Sequence, residues 1–389
     1  MSHRSNGMKN KKFLCSLAIF FIAFSLILGI TSCKKKEQEV IKIGVIGPLT
    51  GEGATYGAAM KRGIDLAIEE INKGGGINGR KLKAFYEDDK LESKEGINAF
   101  NKLAQIEKVP VIIGSAASKV TLTIAPLAEN SKIILFSPIS TTDKLKEAGD
   151  YIFRNVPPNS YQGKTAAQFI FYYLKKEKVC IFYKNDEYGA DLTKGFKNEF
   201  TKLGGKIIYE DNYAPGQRDF KSNLAKIKSV NSEVIYFPGN YEESGIILKQ
   251  AKEIGIKAVF VGGDGSYSPE LIKIAGDAAE GSYYTLMALP QAKSPKVENF
   301  RKAFQEKYGE EPGVYDAYSY DALMTIAEAI KTGGYSSEGI KNALYSLTYE
   351  GVTGITKFDK YGEVDKPYAI YVVRNGKFEP LEWLPPKEK

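Results

Sequence analysis

The chain has 389 residues, ordinary apolar content and a formal charge of +7, which gives room for two or three domains and a large core. Its only histidine is His3, within a basic and apolar leader, so the remainder excludes His-dependent triads and His metal sites and argues against most hydrolases. Without residues 1–32, Lys plus Arg fall from 54 to 50 against 47 acidic residues, leaving +3 and no nucleic-acid footprint.

In the leader, Arg4, Lys9, Lys11 and Lys12 precede an apolar run over 13–30, followed by Ile30-Thr31-Ser32-Cys33. That order predicts a secretory signal, with an uncleaved membrane anchor as the alternative because the run is long. Ile-Thr-Ser-Cys resembles the bacterial lipobox. The resemblance implies removal of residues 1–32, lipid on Cys33 as the new N-terminus, and a polar tether over 33–40. Several acyl chains hold a protein at a membrane where one does so weakly. The implied address is the periplasm or cell surface, anchored to a bacterial membrane. Only Cys180 is then left as a free thiol, and its apolar setting, Val179-Cys180-Ile181-Phe182, reads as a small core residue.

From Ile41 short apolar runs alternate with amphipathic segments. One series starts near Ile41, Leu82, Val111, Ile133 and Ile152, and a second near Val179, Ile207, Val234, Ala258 and Gly281. The spacing is that of βα units, so the class is α/β with doubly wound parallel sheets, and two series imply two similar lobes. Met60, Ile64, Ala67, Ile68 and Ile71 share one helix face that Gly74 stops, and Leu192, Phe196, Phe200 and Leu203 repeat the pattern before Gly204. Further helices are expected over 297–308, 318–331 and 339–347. Residues 368–379 read as a hairpin around Asn375-Gly376, and the Pro- and Lys-rich end, 381–389, is expected to fray.

Gly51-Glu52-Gly53-Ala54-Thr55-Tyr56-Gly57 follows the first strand and suggests a dinucleotide fingerprint, with Asp88-Asp89 as the ribose acid. The third glycine position is Tyr56 and the acids come too late, so the glycines instead let the turn approach a ligand under Tyr56. Residues 112–142 hold two successive strand-to-helix turns, both carrying small hydroxyl residues. Such turns lie at the carboxyl edge of a parallel sheet, where open α/β sheets bind ligands, and free N–H groups at a helix start suit an anion. Ser118 and Thr141 add hydroxyl donors there, which makes this a carboxylate grip. Lys119, directly after Ser118, either turns to solvent or reaches over the mouth toward a polar ligand. In the second series, Asp264 lies in a glycine-flanked strand end and is either a partner for a ligand cation or a turn aspartate serving its own backbone. Tyr188, Asn240 and Tyr241 also end strands on that edge and suit a pocket wall.

These motifs together resemble the type I periplasmic binding proteins, in particular the leucine/isoleucine/valine-binding family of ABC importers. The stretches that carry it are Ile43-Gly44-Val45-Ile46-Gly47-Pro48-Leu49-Thr50-Gly51, Ile71-Asn72-Lys73-Gly74-Gly75-Gly76-Ile77-Asn78-Gly79-Arg80, Ile113-Gly114 with Ser118, Ser137-Pro138 with Ser140-Thr141, and Tyr188-Gly189. The resemblance implies two Rossmann-like lobes joined by three crossings, near 157–159, 289–291 and 351–355. The first lobe would be 41–158 plus 290–353 and the second 159–289 plus 354–380. It implies that Ser118 and Thr141 hold an amino acid's α-carboxylate and ammonium group, with backbone contacts from Ala116 and Ile139. Tyr56 and Tyr188 would lie over the ligand, Tyr315 would be a pocket aromatic, and Asp264 would pair with the α-ammonium where the branched-chain binders carry Glu. Asn240 stands where an aromatic is common, with Tyr241 beside it. The implied protein is no enzyme and needs no cofactor. It is a monomer that delivers a branched-chain-type amino acid to an ABC permease. Binders of amides, urea or small organic acids, a His-independent surface hydrolase and a signalling ectodomain are the alternatives.

Cys33→Ser is expected to release the protein from the membrane fraction or to leave an unprocessed precursor, read by fractionation and lipid labelling of cells. Unchanged processing and labelling would contradict the lipid site.

Overall fold

Two sheets form because each series of apolar strands satisfies its backbone groups within itself. A computed structural model describes residues 40–289 and 294–385. Cys33, the leader and the tether up to residue 39 lie outside these residues, as does most of the expected second crossing. The first sheet contains β1 (Ile41–Gly47), β2 (Leu82–Asp88), β3 (Val111–Ile113), β4 (Ile134–Ser137) and β5 (Ile152–Arg154). All are parallel, in the order β2-β1-β3-β4-β5. The second contains β6 (Lys178–Lys184), β7 (Lys206–Tyr213), β8 (Val234–Tyr236), β9 (Val259–Gly262) and β10 (Tyr283–Met287), in parallel. A small antiparallel pair, β11 (Thr348–Gly351) and β12 (Gly354–Lys357), stands apart, and β13 (Tyr368–Arg374) and β14 (Lys377–Leu381) complete the second sheet in the order β14-β13-β10-β9-β8-β6-β7. The β13–β14 hairpin turns through Asn375 and Gly376, both at positive φ, as a two-residue turn requires.

Helices cover the faces. In chain order they are α1 (Ala54–Lys73), α2 (Ser93–Asn101), α3 (Ser118–Ser131), α4 (Asn159–Gln168), α5 (Glu187–Lys202) and α6 (Lys221–Val230). Then come α7 (Tyr241–Glu253), α8 (Pro269–Ala275), α9 (Pro295–Tyr308), α10 (Val314–Gly333) and α11 (Ser337–Ser346). The stripe expected on α1 does face the core, with Met60, Ile64 and Ala67 buried and Ile68 and Ile71 packed at its margin. Against it lies α10, apolar enough to be buried along most of its length. The two come close because a Cβ on Gly63 would meet the Asp316 carbonyl oxygen at 2.2 Å. Arg62 fixes their register by two bonds to the Asp316 carboxylate, at 2.8 and 3.2 Å. Cys180 is fully buried in the second lobe, as its setting implied.

The chain passes between the sheets after β5, after β10 and before β13. The last passage comes later than the expected 351–355. Gly351 to Gly354 is the turn of the β11–β12 hairpin, and Phe358 beyond it packs edge-on against Phe136 and Phe153 of the first sheet. Gly362 then accepts a bond from Arg154 N, so the chain rejoins the second sheet only at Tyr368. The expected frayed end is ordered at its start: Leu381 belongs to β14, and the ring of Trp383 meets Phe169 at 5.4 Å, while residues 386–389 lie outside the described residues.

A buried polar cluster ties this last passage to α10. Asp321 accepts from Val352 N at 2.9 Å, from Thr353 N at 2.7 Å and from the Thr353 hydroxyl. Lys366 donates to that hydroxyl at 2.8 Å and lies 4.9 Å over the Tyr318 ring. Burial pushes the Lys366 ammonium down to about 8 against the pull of Asp321. A Cβ on Gly351 would strike the Asp321 carboxylate, so only glycine admits the grip. Asp321→Ala leaves two backbone N–H groups without their acceptor and the buried Lys366 ammonium without its counter-charge. It should lower the unfolding free energy by about 3–5 kcal/mol in denaturant titration, whereas Asp321→Asn with Lys366→Met should cost clearly less.

Candidate functional site

Parallel strands deliver their following turns to one edge, and here the two carboxyl edges face each other across a cavity of about 490 Å³. On the first wall, most small hydroxyls of the two turns hold the turns together. Ser115 donates to Asp89, Ser137 donates to the Ser115 carbonyl at 2.8 Å, and Ser140 N donates to the Ser137 hydroxyl at 2.9 Å. Thr121 reaches back to the carbonyls of Ser115 and Ala117. Burial pushes the Asp89 carboxyl up to about 6, although Ser115 and the Leu91 N–H favour its charge. Its neighbour Asp88 accepts from Leu49 N at 2.8 Å and from the Thr50 hydroxyl. The two acids that looked like ribose partners therefore brace the loops that carry the wall.

Ser118 and Thr141 are left to face the cavity, with Ala116 and Ile139 beside them. Ser118 opens α3, and Thr121 N is the donor that returns to Ala117 O. The N–H groups of Ser118, Lys119 and Val120 come before that first helical bond. A helix of 14 residues thus directs its positive end into the cavity.

On the second wall, Asp264 follows β9 and is 2% exposed. Its Oδ1 accepts from the Tyr188 hydroxyl at 2.7 Å, and that hydroxyl accepts from Gly265 N at 2.9 Å. Burial raises the Asp264 carboxyl, with Tyr188 and Gln162 opposing the shift. A Cβ on Gly263 would meet the Tyr188 hydroxyl at 2.4 Å, so the glycine expected to allow close approach admits this side chain. Asp264 thus lines the cavity, oriented by a tyrosine and stabilised also by N–H groups of its own turn.

The lobes meet around the cavity. Tyr56 donates to the Gly265 carbonyl, and Tyr315 donates to the Asp264 carbonyl at 2.6 Å. Arg218 pairs with Glu52 at 3.1 Å, Lys144 pairs with Glu187, and Thr142 donates to Asp191. These bonds join the first lobe to the second, so the arrangement is closed. Ordered this way, the walls can take a small solute with an anionic group at α3 and a cationic group at Asp264, and exclude bulk water from both.

Tyr56, Ala116, Ser118, Ile139, Thr141, Tyr188, Asn240, Asp264 and Tyr315 line this one cavity. Tyr241 does not. It sits behind Tyr56, ring centroids 5.3 Å apart and edge-on, and its hydroxyl donates to Glu52 O at 2.5 Å. As the first residue of α7 it points into the packing, while Asn240 just before the helix makes no side-chain capping bond and lines the cavity. Lys119 is exposed at the rim, near enough that its charge acts on Asp186. Sequence reasoning missed Lys184 and Asp186, which also line the cavity, and Glu243 behind them. Lys184 pairs with Glu243 at 2.9 Å and stands 3.9 Å from Asp186. The available signal was the Lys-Asn-Asp run closing β6, which normally reads as a solvated turn.

A family model described as periplasmic binding protein matches residues 40–377. The chain is 33% identical to Leu/Ile/Val-binding protein homolog 1 of Brucella abortus over 340 residues, 86% of this chain and 91% of that one. A leucine binding protein from Thermotoga maritima superposes with a TM-score of 0.84 at 32% identity, covering 88% of this chain and 98% of that one. A branched-chain amino acid transporter substrate binding protein from Streptococcus pneumoniae, in complex with isoleucine, gives 0.83 at 32% identity and the same coverage.

Tyr56→Phe with Tyr315→Phe removes two bonds that cross the closed interface, each worth about 0.5–1.5 kcal/mol. The ligand-free double variant should scatter X-rays with a larger radius of gyration than the parent. An unchanged radius would contradict their role in closure.

Proposed function

From the chain's membership of the periplasmic binding protein family, in its leucine/isoleucine/valine-binding branch, we propose that this solute-binding protein captures an α-amino acid and delivers it to an ABC permease. It is a binding protein and not an enzyme. We place it outside the cytoplasm as a monomer, held to the membrane by lipid at Cys33. Names and bound ligands among its relatives, Leu/Ile/Val-binding and isoleucine-bound, support an amino acid as cargo.

One observation carries this reading: a helix start with two hydroxyls on one wall faces a buried carboxylate on the other. The α-carboxylate is taken by Ser118, Thr141 and the first N–H groups of α3. The α-ammonium goes to Asp264, which the Tyr188 hydroxyl orients. In the free protein, burial disfavours the Asp264 charge. An ammonium at contact distance offsets that cost, so the ligand completes the site. Closure through Tyr56 and Tyr315 then dries the cavity and strengthens both charge-assisted contacts. Release toward the permease requires these bonds to open.

Asp264→Asn should weaken the amino acid by about 1.5–3 kcal/mol, the range for hydrogen bonds to charged groups. Calorimetric titration against the same ligand without its amine is the check, since equal binding of the deaminated acid would contradict the role. The pH dependence has a fixed sign. The bound ammonium favours the ionised carboxylate, so its pKa is lower in the complex than in the free protein. Affinity is therefore full above the free-protein value and is lost as pH falls through it. Because that value is raised, the loss should begin above the ordinary aspartate range of about 3.9.

A further inference from the structure

Beyond the zwitterion grip, the cavity has a second polar end that the grip does not use. It is built on β6, whose strand end is two places from β9 in the sheet order β9-β8-β6. Neighbouring strands lie about 4.8 Å apart, so this end stands about 10 Å along the sheet edge from the end that carries Asp264. Lys184 and Asp186 line it from the second lobe, and Lys119 faces them from the first.

The charges here are already matched. The Lys184 ammonium, 6% exposed, is held by Glu243 at 2.9 Å, a carboxylate buried as deeply as itself. Glu243 is fixed in turn by Gly216 N at 3.3 Å. Asp186 Oδ1 accepts from Gly189 N at 2.9 Å, at the start of α5. Its Oδ2 is 3.9 Å from Lys184, beyond a hydrogen bond. Burial raises Asp186, while Lys184 and, less strongly, Lys119 lower it.

We infer that the ligand is an amino acid whose side chain ends in a neutral carboxamide, its oxygen accepting from Lys184 and its NH₂ donating to Asp186. The inference rests on the amino-acid reading of the same cavity. An ammonium has three donors and a carboxylate has several acceptor positions, so both residues have capacity left after the bonds named above. A group that donates and accepts side by side fits this pair. A second net charge does not fit, because Glu243 and Lys119 already balance the Lys184–Asp186 pair, and an unmatched charge in a closed cavity is costly. An aliphatic end does not fit either, since closure over it would strip water from Lys184 and Asp186 and return no hydrogen bond.

The test is calorimetric titration of the full chain with glutamine, glutamate and leucine, followed by the same series on Asp186→Asn. Asparagine caps a helix as well as aspartate, so the variant keeps the start of α5, and a thermal melt verifies the fold. The parent should bind glutamine at least about tenfold more tightly than leucine or glutamate, the size of one charge-assisted bond. In Asp186→Asn the NH₂ of residue 186 meets the NH₂ of glutamine, so glutamine should weaken about tenfold while glutamate gains. Tighter binding of leucine or glutamate by the parent overturns the carboxamide inference and leaves the amino-acid reading standing. A glutamine-to-glutamate ratio unchanged in the variant overturns it too. Binding of none of the three overturns the carboxamide inference, and the amino-acid reading falls with it only if the remaining standard amino acids also fail to bind.

Discussion

A charged group leaves water cheaply only where an opposite charge or oriented hydrogen-bond donors are already fixed, and this constraint governs the molecule. The positive end of α3 and the Asp264 carboxylate are held on separate lobes, each oriented before any solute arrives. Neither is satisfied by the other. On the first wall the field comes from backbone N–H groups that the helix itself leaves free. On the second it comes from a carboxylate whose burial is tolerated because a tyrosine hydroxyl and nearby donors stabilise it. A zwitterion between them would remove both deficits at once. That is a physical reason for the two lobes to share one ligand and to close upon it.

The rest of the structure keeps those two groups in place. Hydroxyl-to-carbonyl bonds knit the 115 and 137 turns so that the first wall is rigid without bulk. Arg62 and Asp316 lock α1 to α10, and α10 supplies both Tyr315 at the cavity and Asp321 at the last passage between lobes. One helix therefore joins the cavity to the last passage between the lobes. Closure bonds around the cavity include neutral contacts and exposed ion pairs, and the exposed pairs are individually weak. A closed state built from such bonds can be opened without unfolding either lobe.

Much of this was legible in the sequence because strand periodicity fixes which turns share an edge. The family resemblance set the two edges opposite each other, and by periodicity alone Ser118 could be placed beside Thr141 and Tyr188 beside Asp264. Their division of labour could not. Ser115, Ser137 and Ser140 are the same kind of residue in the same two turns, and only tertiary hydrogen bonds separate those that brace from those that face the cavity. Tyr241 was misread because one position at the start of a helix decides between cavity and core. Lys184 and Glu243 are 59 residues apart, so their buried pairing leaves no local mark. The family resemblance put a crossing near 351–355, where the structure has a hairpin turn, and the aromatic contact that holds Phe358 to the first lobe joins residues distant in the chain.

The central claim is that Asp264 carries its negative charge for a ligand ammonium. Carboxyl-selective ¹³C NMR, with the Asp264 signal assigned by Asp264→Asn, reads its titration in the free protein and in the complex with its tightest amino acid. The account predicts a titration above the ordinary aspartate range in the free protein and a marked fall when the amino acid is bound. An Asp264 titration that the ligand leaves unmoved would contradict it.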